Sequence, residues 1–255
     1  FCGETILPFL IRNRNHTPNQ IIKVLKRKKM LGVVCGLIRG DGPSPYKEPQ
    51  SVLKELKPQA RYAAKIAEAR LGPPVFIGPL ADHYQQDLPV GWTPDTLNPW
   101  LDDLDDLAEE LGLKILIEAL NEKEGKTEKP FELLWQAVAQ RERLGLQLDL
   151  GHFHARGHTP EDFGRMAGAV GLLEFANVGR RPLDTDKGIN FPAFVQQMDR
   201  LPDDCLIAVE PFCQAVIKAF GLQELCDTTV EGEETLKRDA AYLQQIGVMA
   251  GTAFI

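Results

Sequence analysis

The sequence predicts an α/β fold, a (β/α)8 barrel built as one domain over residues 1–255, and three observations predict it. Short apolar runs alternate with helix-like segments along the whole chain. The runs are apolar at consecutive positions, as parallel strands buried on both faces require. Four of the runs end on or near an acid: Glu118 in KILIEAL, Asp149 in LQLDLGHFH, Glu174 in GLLEFANVG and Glu210 in CLIAVEPF. The 255 residues, 44% of them hydrophobic, are enough for one large core, and barrels of this length form single domains.

The elements follow in order. GETILPFL reads as a strand end and loop. Thr17-Pro18 opens a helix through Met30, with the threonine as N-cap and the proline in the first turn. LGVVCGLI is a strand, Val52 to Arg70 a helix, and PPVFIGPL a strand. Thr93-Pro94 opens a third helix to about Leu111. KILIEAL, a helix near Phe131–Leu144 and LQLDL come next. A helix opened by Thr159-Pro160 leads to GLLEFAN; a helix near Phe191–Leu201, then CLIAVE and a last helix near Glu233–Ile246 complete the alternation. Such alternation implies a parallel sheet with helical crossovers. The strands number seven, near residues 4–8, 32–38, 74–78, 114–118, 146–149, 172–176 and 205–210. A closed barrel needs eight, and the first β/α unit is expected ahead of Phe1.

Within this frame several showy features are structural. The acids Asp102, Asp103, Asp105, Asp106, Glu109 and Glu110 interleave with Leu101, Leu104, Leu107, Ala108 and Leu111 at helical spacing, so they form the wet face of an amphipathic helix. Lys26 to Lys29 is the only basic run; it closes a helix, where cations suit the dipole. With a net charge of −7, the chain lacks the basic face that nucleic acid would require. Cys2, Cys35, Cys205, Cys213 and Cys226 form no CxxC pair; reduced core thiols in a cytoplasmic protein are expected. No apolar stretch approaches a membrane span. The loop Ala81–Asn98, holding His83, Tyr84 and Trp92, is either a cover over a site or a plain surface loop. His154 and His158 read as loop residues, since no cysteine or further histidine cluster supports zinc.

The four acids carry the chemistry. In a parallel barrel the C-terminal strand ends converge on one pocket. Four carboxylates there are costly unless a cation compensates them. All-oxygen ligation favours Mg²⁺ or Mn²⁺ over Zn²⁺.

Over nearly its whole length the chain resembles the xylose isomerase-like TIM barrels, and within them the ketohexose 3-epimerases of the D-tagatose or D-psicose type. The resemblance is carried by VVCGLI, LGPPVFIGPL, GLKILIEALNEKEG, LQLDLGHFH, NVGRRP and VEPF, in that order. It implies an ion, Mn²⁺, Mg²⁺ or Co²⁺, held by a Glu, an Asp, a His and a second Glu, with the two glutamates as acid/base pair. Glu118, Asp149 and Glu210 match three of those positions; the metal histidine falls on Glu174, six residues before Arg180. A glutamate binds the same hard cation, as in the all-carboxylate site of xylose isomerases, but its added charge changes the metal preference. By the same resemblance His152, Arg180 and Glu124 contact substrate, with Arg181 as a fallback for Arg180. The family's PGxG-like turn after the arginine is replaced by RRPLDTDKGIN, longer and with only Gly188.

The resemblance implies a metal-dependent sugar isomerase or epimerase, with a small carbohydrate as partner and a homo-oligomer as assembly. Glu118 and Glu210 would move a proton through an enediolate. Two readings compete: a dehydratase or lyase working through the same enolate, and a degenerate barrel that only binds. An endonuclease of the three-zinc type shares the fold but needs many histidines, and the chain has five.

Overall fold

The computed structural model describes residues 3–5, 17–28, 32–36, 48–78, 91–120, 127–185, 188–210 and 232–248. The chain divides into two compact units, residues 1–147 and residues 148–254.

The first unit is a parallel sheet with helical crossovers. Its strands are β1 (Gly3–Thr5), β2 (Gly32–Cys35), β3 (Val75–Ile77), β4 (Lys114–Glu118) and the start of β5 (Leu144–Asp149). Each pairs in parallel with the next: Glu4 with Val33, Val34 with Phe76, Phe76 with Ile115, and Glu118 with Gln147. The helices are α1 (Pro18–Lys28), α2 (Pro49–Glu68), α3 (Pro94–Leu111) and α4 (Pro130–Val138). All four begin on proline, whose fixed φ suits a first turn and whose missing N–H costs nothing there. Thr17 and Thr93 cap as expected: Gln20 N–H donates to Thr17 Oγ1 and Thr96 N–H to Thr93 Oγ1.

The acidic helix α3 is amphipathic as read. Leu97, Trp100, Leu101, Leu104, Leu107 and Ala108 are buried. Its acids meet neighbouring segments at the surface: Glu110 takes Lys57 and Arg61 of α2, and Asp102 takes Arg141, just past α4. Such exposed pairs add little each; the buried face supplies the stability. The helix near residue 131 stops at Val138, earlier than expected. Arg141 turns back to donate to the Ala137 carbonyl at 2.6 Å, closing the helix and letting β5 begin at Leu144. Trp92, in the segment read as either a cover over a site or a plain surface loop, is 5% exposed, and its backbone N–H donates to Thr127 Oγ1 at 2.7 Å.

The second unit continues the same alternation. α5 (Leu150–Ala155) follows β5 directly, an element the sequence reading lacked. α6 (Pro160–Met166) opens on a reciprocal capping box between Thr159 and Asp162. β6 (Val170–Phe175) pairs in parallel with β7 (Leu206–Val209), Leu173 opposite Ile207 and Glu174 opposite Ala208. Between them lies α7 (Phe191–Val195), shorter than expected and followed by a 3₁₀ turn at Met198–Arg200. α8 (Gly232–Gln245) comes last among the described residues. In the core Phe153 and Phe163 pack on Phe194, and Phe175 on Phe191, with ring centroids about 6 Å apart. Cys205, a free thiol, is half-buried ahead of β7 instead of lying in the core; the side chain of Cys35 and the other three cysteines lie outside the described residues. Among the described residues no helix is long and apolar enough to cross a membrane.

Candidate metal centre

Parallel strands buried on both faces leave no solvent for a polar side chain except at their ends. All six residues of β5 and all six of β6 are buried. Asp149, the last residue of β5, is fully buried, and Glu174 near the end of β6 is 1% exposed. Glu210 follows β7 and is half-buried; its N–H donates to the Phe175 carbonyl at 3.2 Å, which extends the β6–β7 ladder past the strand end. Glu210 thus lies two residues past Ala208, the partner of Glu174, on the same face of the ladder. Asp149, Glu174 and Glu210 each offer a carboxylate oxygen, and the three oxygens lie within 4.8 Å of one another.

Asp149 has a second task. Its backbone is extended, and its Oδ1 accepts the N–H of His152 at 3.0 Å, so it caps α5. His152 is itself 4% exposed, and its Nε2 stands 3.8 Å from Asp149 Oδ2. That distance exceeds a hydrogen bond and sets an imidazole nitrogen beside the Asp149 carboxylate. Gly151 allows this approach: a Cβ there would lie 2.9 Å from Asp149 Oδ1 and 3.1 Å from the Ala176 carbonyl.

Three ionised carboxylates at this spacing would repel one another by roughly 3 kcal/mol per pair at an effective dielectric constant of about 20. A divalent cation removes that cost, and the donors fit one. Carboxylate oxygens suit a hard ion, and an adjacent imidazole widens the choice. The buried Glu, Asp and His cluster is thus consistent with a divalent metal.

Glu118 closes β4 in the first unit, 5% exposed. Arg180 ends the 3₁₀ turn Val178–Arg180 that follows β6, and Arg181 is half-buried beside it. The Arg180 side chain and Glu124 lie outside the described residues, as do His83 and Tyr84. His154 is on α5 and exposed; His158 stacks on Phe153 with centroids 4.4 Å apart.

Among the buried polar residues of this unit that the sequence reading did not single out are Asn177 and Asp239. Asn177 is 2% exposed and Asp239, on α8, is 1% exposed. Burial pushes the Asp239 carboxyl up to about 6, opposed in part by the Leu183 N–H that donates to it at 2.8 Å. Asparagine beside a glycine two residues on, in ANVGRRP, was a turn signal that could have singled out Asn177.

Comparison with known proteins places these features. A family model described as a xylose isomerase-like TIM barrel matches residues 30–246. A search of curated proteins finds no match. Among solved structures, L-ribulose 3-epimerase superposes with a TM-score of 0.74 at 15% identity, covering 92% of this chain and 80% of that one. D-psicose 3-epimerase from Clostridium cellulolyticum H10, solved with D-tagatose, gives 0.72 at 12% identity, covering 96% and 87%. The IOLI protein with a binding zinc atom gives 0.64 at 17% identity, covering 94% and 84%. At these identities the likeness shows the fold, which is the α/β TIM barrel.

Proposed function

Because the chain belongs to the xylose isomerase-like TIM barrel family, we propose that it is a divalent-metal-dependent isomerase or epimerase acting on a small ketose. The observation that carries this reading is the cluster of buried Asp149 and Glu174 with half-buried Glu210 at the ends of β5, β6 and β7. The structural neighbours whose names include L-ribulose and D-psicose 3-epimerase supply the substrate class.

Asp149, Glu174 and Glu210 would hold Mn²⁺ or Mg²⁺, with Co²⁺ a third candidate, and Glu118 joins them on its position at the end of β4. The ion supplies Lewis acidity that polarises a carbonyl and acidifies the adjacent C–H. The protein's own groups do the rest. One of Glu118 and Glu210 takes the proton and the other returns it. Return to the same carbon from the opposite face gives epimerisation, and return to the neighbouring carbon gives isomerisation. His152 and Arg180 orient the sugar oxygens, with Glu124 as a further contact.

The test has two arms. Elemental analysis after loading with Mn²⁺ is expected to give about one ion per chain, lost in Glu210→Gln. Incubation of D-psicose, L-ribulose and D-tagatose in D₂O is expected to leave deuterium on the recovered sugar at the carbon that exchanges. An unsaturated product instead would select the lyase reading, to which the altered metal-histidine position and the altered loop after β6 give weight. No ion and no exchange would leave the chain a binding barrel.

A further inference from the structure

The loop from β6 to α7 lacks the glycine-rich turn expected by resemblance, yet it is tied down at several points. Asn177, directly after β6, accepts the Val178 N–H at 2.8 Å and the Ile189 N–H at 3.4 Å through Oδ1. Its Nδ2 donates to the Pro182 carbonyl at 2.9 Å. One buried amide thus holds both ends and the middle of the segment 178–189. Gly188 packs against that amide so closely that a Cβ would collide with Asn177 Oδ1, Nδ2 and Cγ. Gly179, at φ 66°, lets the chain turn left-handed between Val178 and Arg180. From α8, Asp239 accepts the Leu183 N–H and Arg238 Nε donates to Asp184 at 2.6 Å.

We infer that Asn177 is a positioning residue: its side-chain amide replaces a glycine-rich turn and fixes the backbone on which Arg180 meets the substrate. Every bond it makes is to the backbone, so it sets a loop shape and takes no part in proton transfer. Arg180 lies between two tied points, Val178 and Pro182, and inherits their rigidity. The inference rests on the ketose reading for Arg180, and on geometry alone for the anchoring.

Two variants test it. Asn177→Ala removes all three bonds; Gly188→Ala, at an exposed loop glycine, pushes the amide aside without emptying its site. Amide hydrogen exchange needs no activity: the Val178 and Ile189 N–H groups are expected to exchange about tenfold faster or more in Asn177→Ala. Unchanged exchange overturns the anchoring whatever the enzyme does. On a ketose that the parent chain turns over, both variants are expected to raise KM about tenfold, with kcat and metal content little changed. Combined with Arg180→Ala, Asn177→Ala is expected to add nothing further, since both act through one side chain. A fully additive double variant, or a fall in kcat with KM unchanged, overturns the positioning role. Faster exchange in a chain that turns over no ketose would instead sink the ketose reading and leave the anchoring standing.

Discussion

The Asp149 carboxylate is shared between two elements: it ends β5, and its Oδ1 accepts the backbone N–H of His152 at 3.0 Å to cap α5. A metal-ligand candidate that also caps a helix is oriented before any ion arrives. The cap locks its rotamer, and the neighbouring Glu174 and Glu210 oxygens then lie within 4.8 Å. Such orientation by a second partner strengthens a metal site.

Asp149→Asn keeps an acceptor for the His152 N–H but loses the charge. Without metal it is expected to gain stability from relief of repulsion, as Glu174→Gln does, and to bind divalent ions far more weakly. Asp149→Ala loses both and is expected to cost about 1 kcal/mol more of stability. Urea unfolding and a Mn²⁺ titration of the two variants check this; equal stability in both would show that the cap contributes nothing.

Gly151→Ala places a methyl group 2.9 Å from Asp149 Oδ1 and 3.1 Å from the Ala176 carbonyl. The carboxylate and the start of α5 must shift. Metal affinity is expected to fall about tenfold or more, with the circular dichroism of the helices retained. Parental affinity in a folded variant would show that the cluster tolerates displacement.

Glu174→Gln removes one of three clustered charges. The metal-free chain is expected to gain roughly 1 kcal/mol or more from relief of repulsion, while the stabilisation conferred by added Mn²⁺ shrinks. Glu174→His exchanges an oxygen donor for nitrogen and is expected to move preference toward Zn²⁺ or Co²⁺. Melting curves with and without each ion read both effects. A metal-free Glu174→Gln less stable than its parent would mean that the carboxylate is held by attraction.

Asp239 makes stability depend on pH in the direction opposite to an ordinary paired carboxylate. Burial raises its carboxyl to about 6, against an ordinary value of 3.8, with Asp184 adding to the rise and the Leu183 N–H and Arg238 opposing it. The folded chain therefore holds a proton that the unfolded chain has released. The contribution is full below pH 3.8 and is lost as pH rises through about 6. Relative to Asp239→Asn, which cannot titrate, the parent chain is expected to gain stability from pH 7.5 to pH 5. Parallel pH profiles for the two chains would show that the buried carboxyl titrates normally.

Much of this structure is written in local patterns. Thr17, Thr93 and Thr159, each followed by proline, marked three helix starts because a cap and its first turn lie within four residues. The apolar runs marked β4 to β7, since a strand buried on both faces has no room for polar residues. The helix after β5 was missed although Asp149 is a good N-cap residue, because its apolar period is too short to register. The burial of Trp92 is not legible locally, because the partner of its backbone N–H, Thr127, lies far along the chain.

The sequence by itself determined the order of strands and helices and set an acid at the end of each of β4, β5 and β6 and just past β7. Those features depend on neighbours a few positions away. Tertiary structure alone decided how closely Asp149, Glu174 and Glu210 approach, and that Asn177 and Asp239 hold the loop after β6. The reason is physical: a carboxylate–carboxylate distance is set by strand register and by the packing of helices between the strands. No pattern within one segment encodes either.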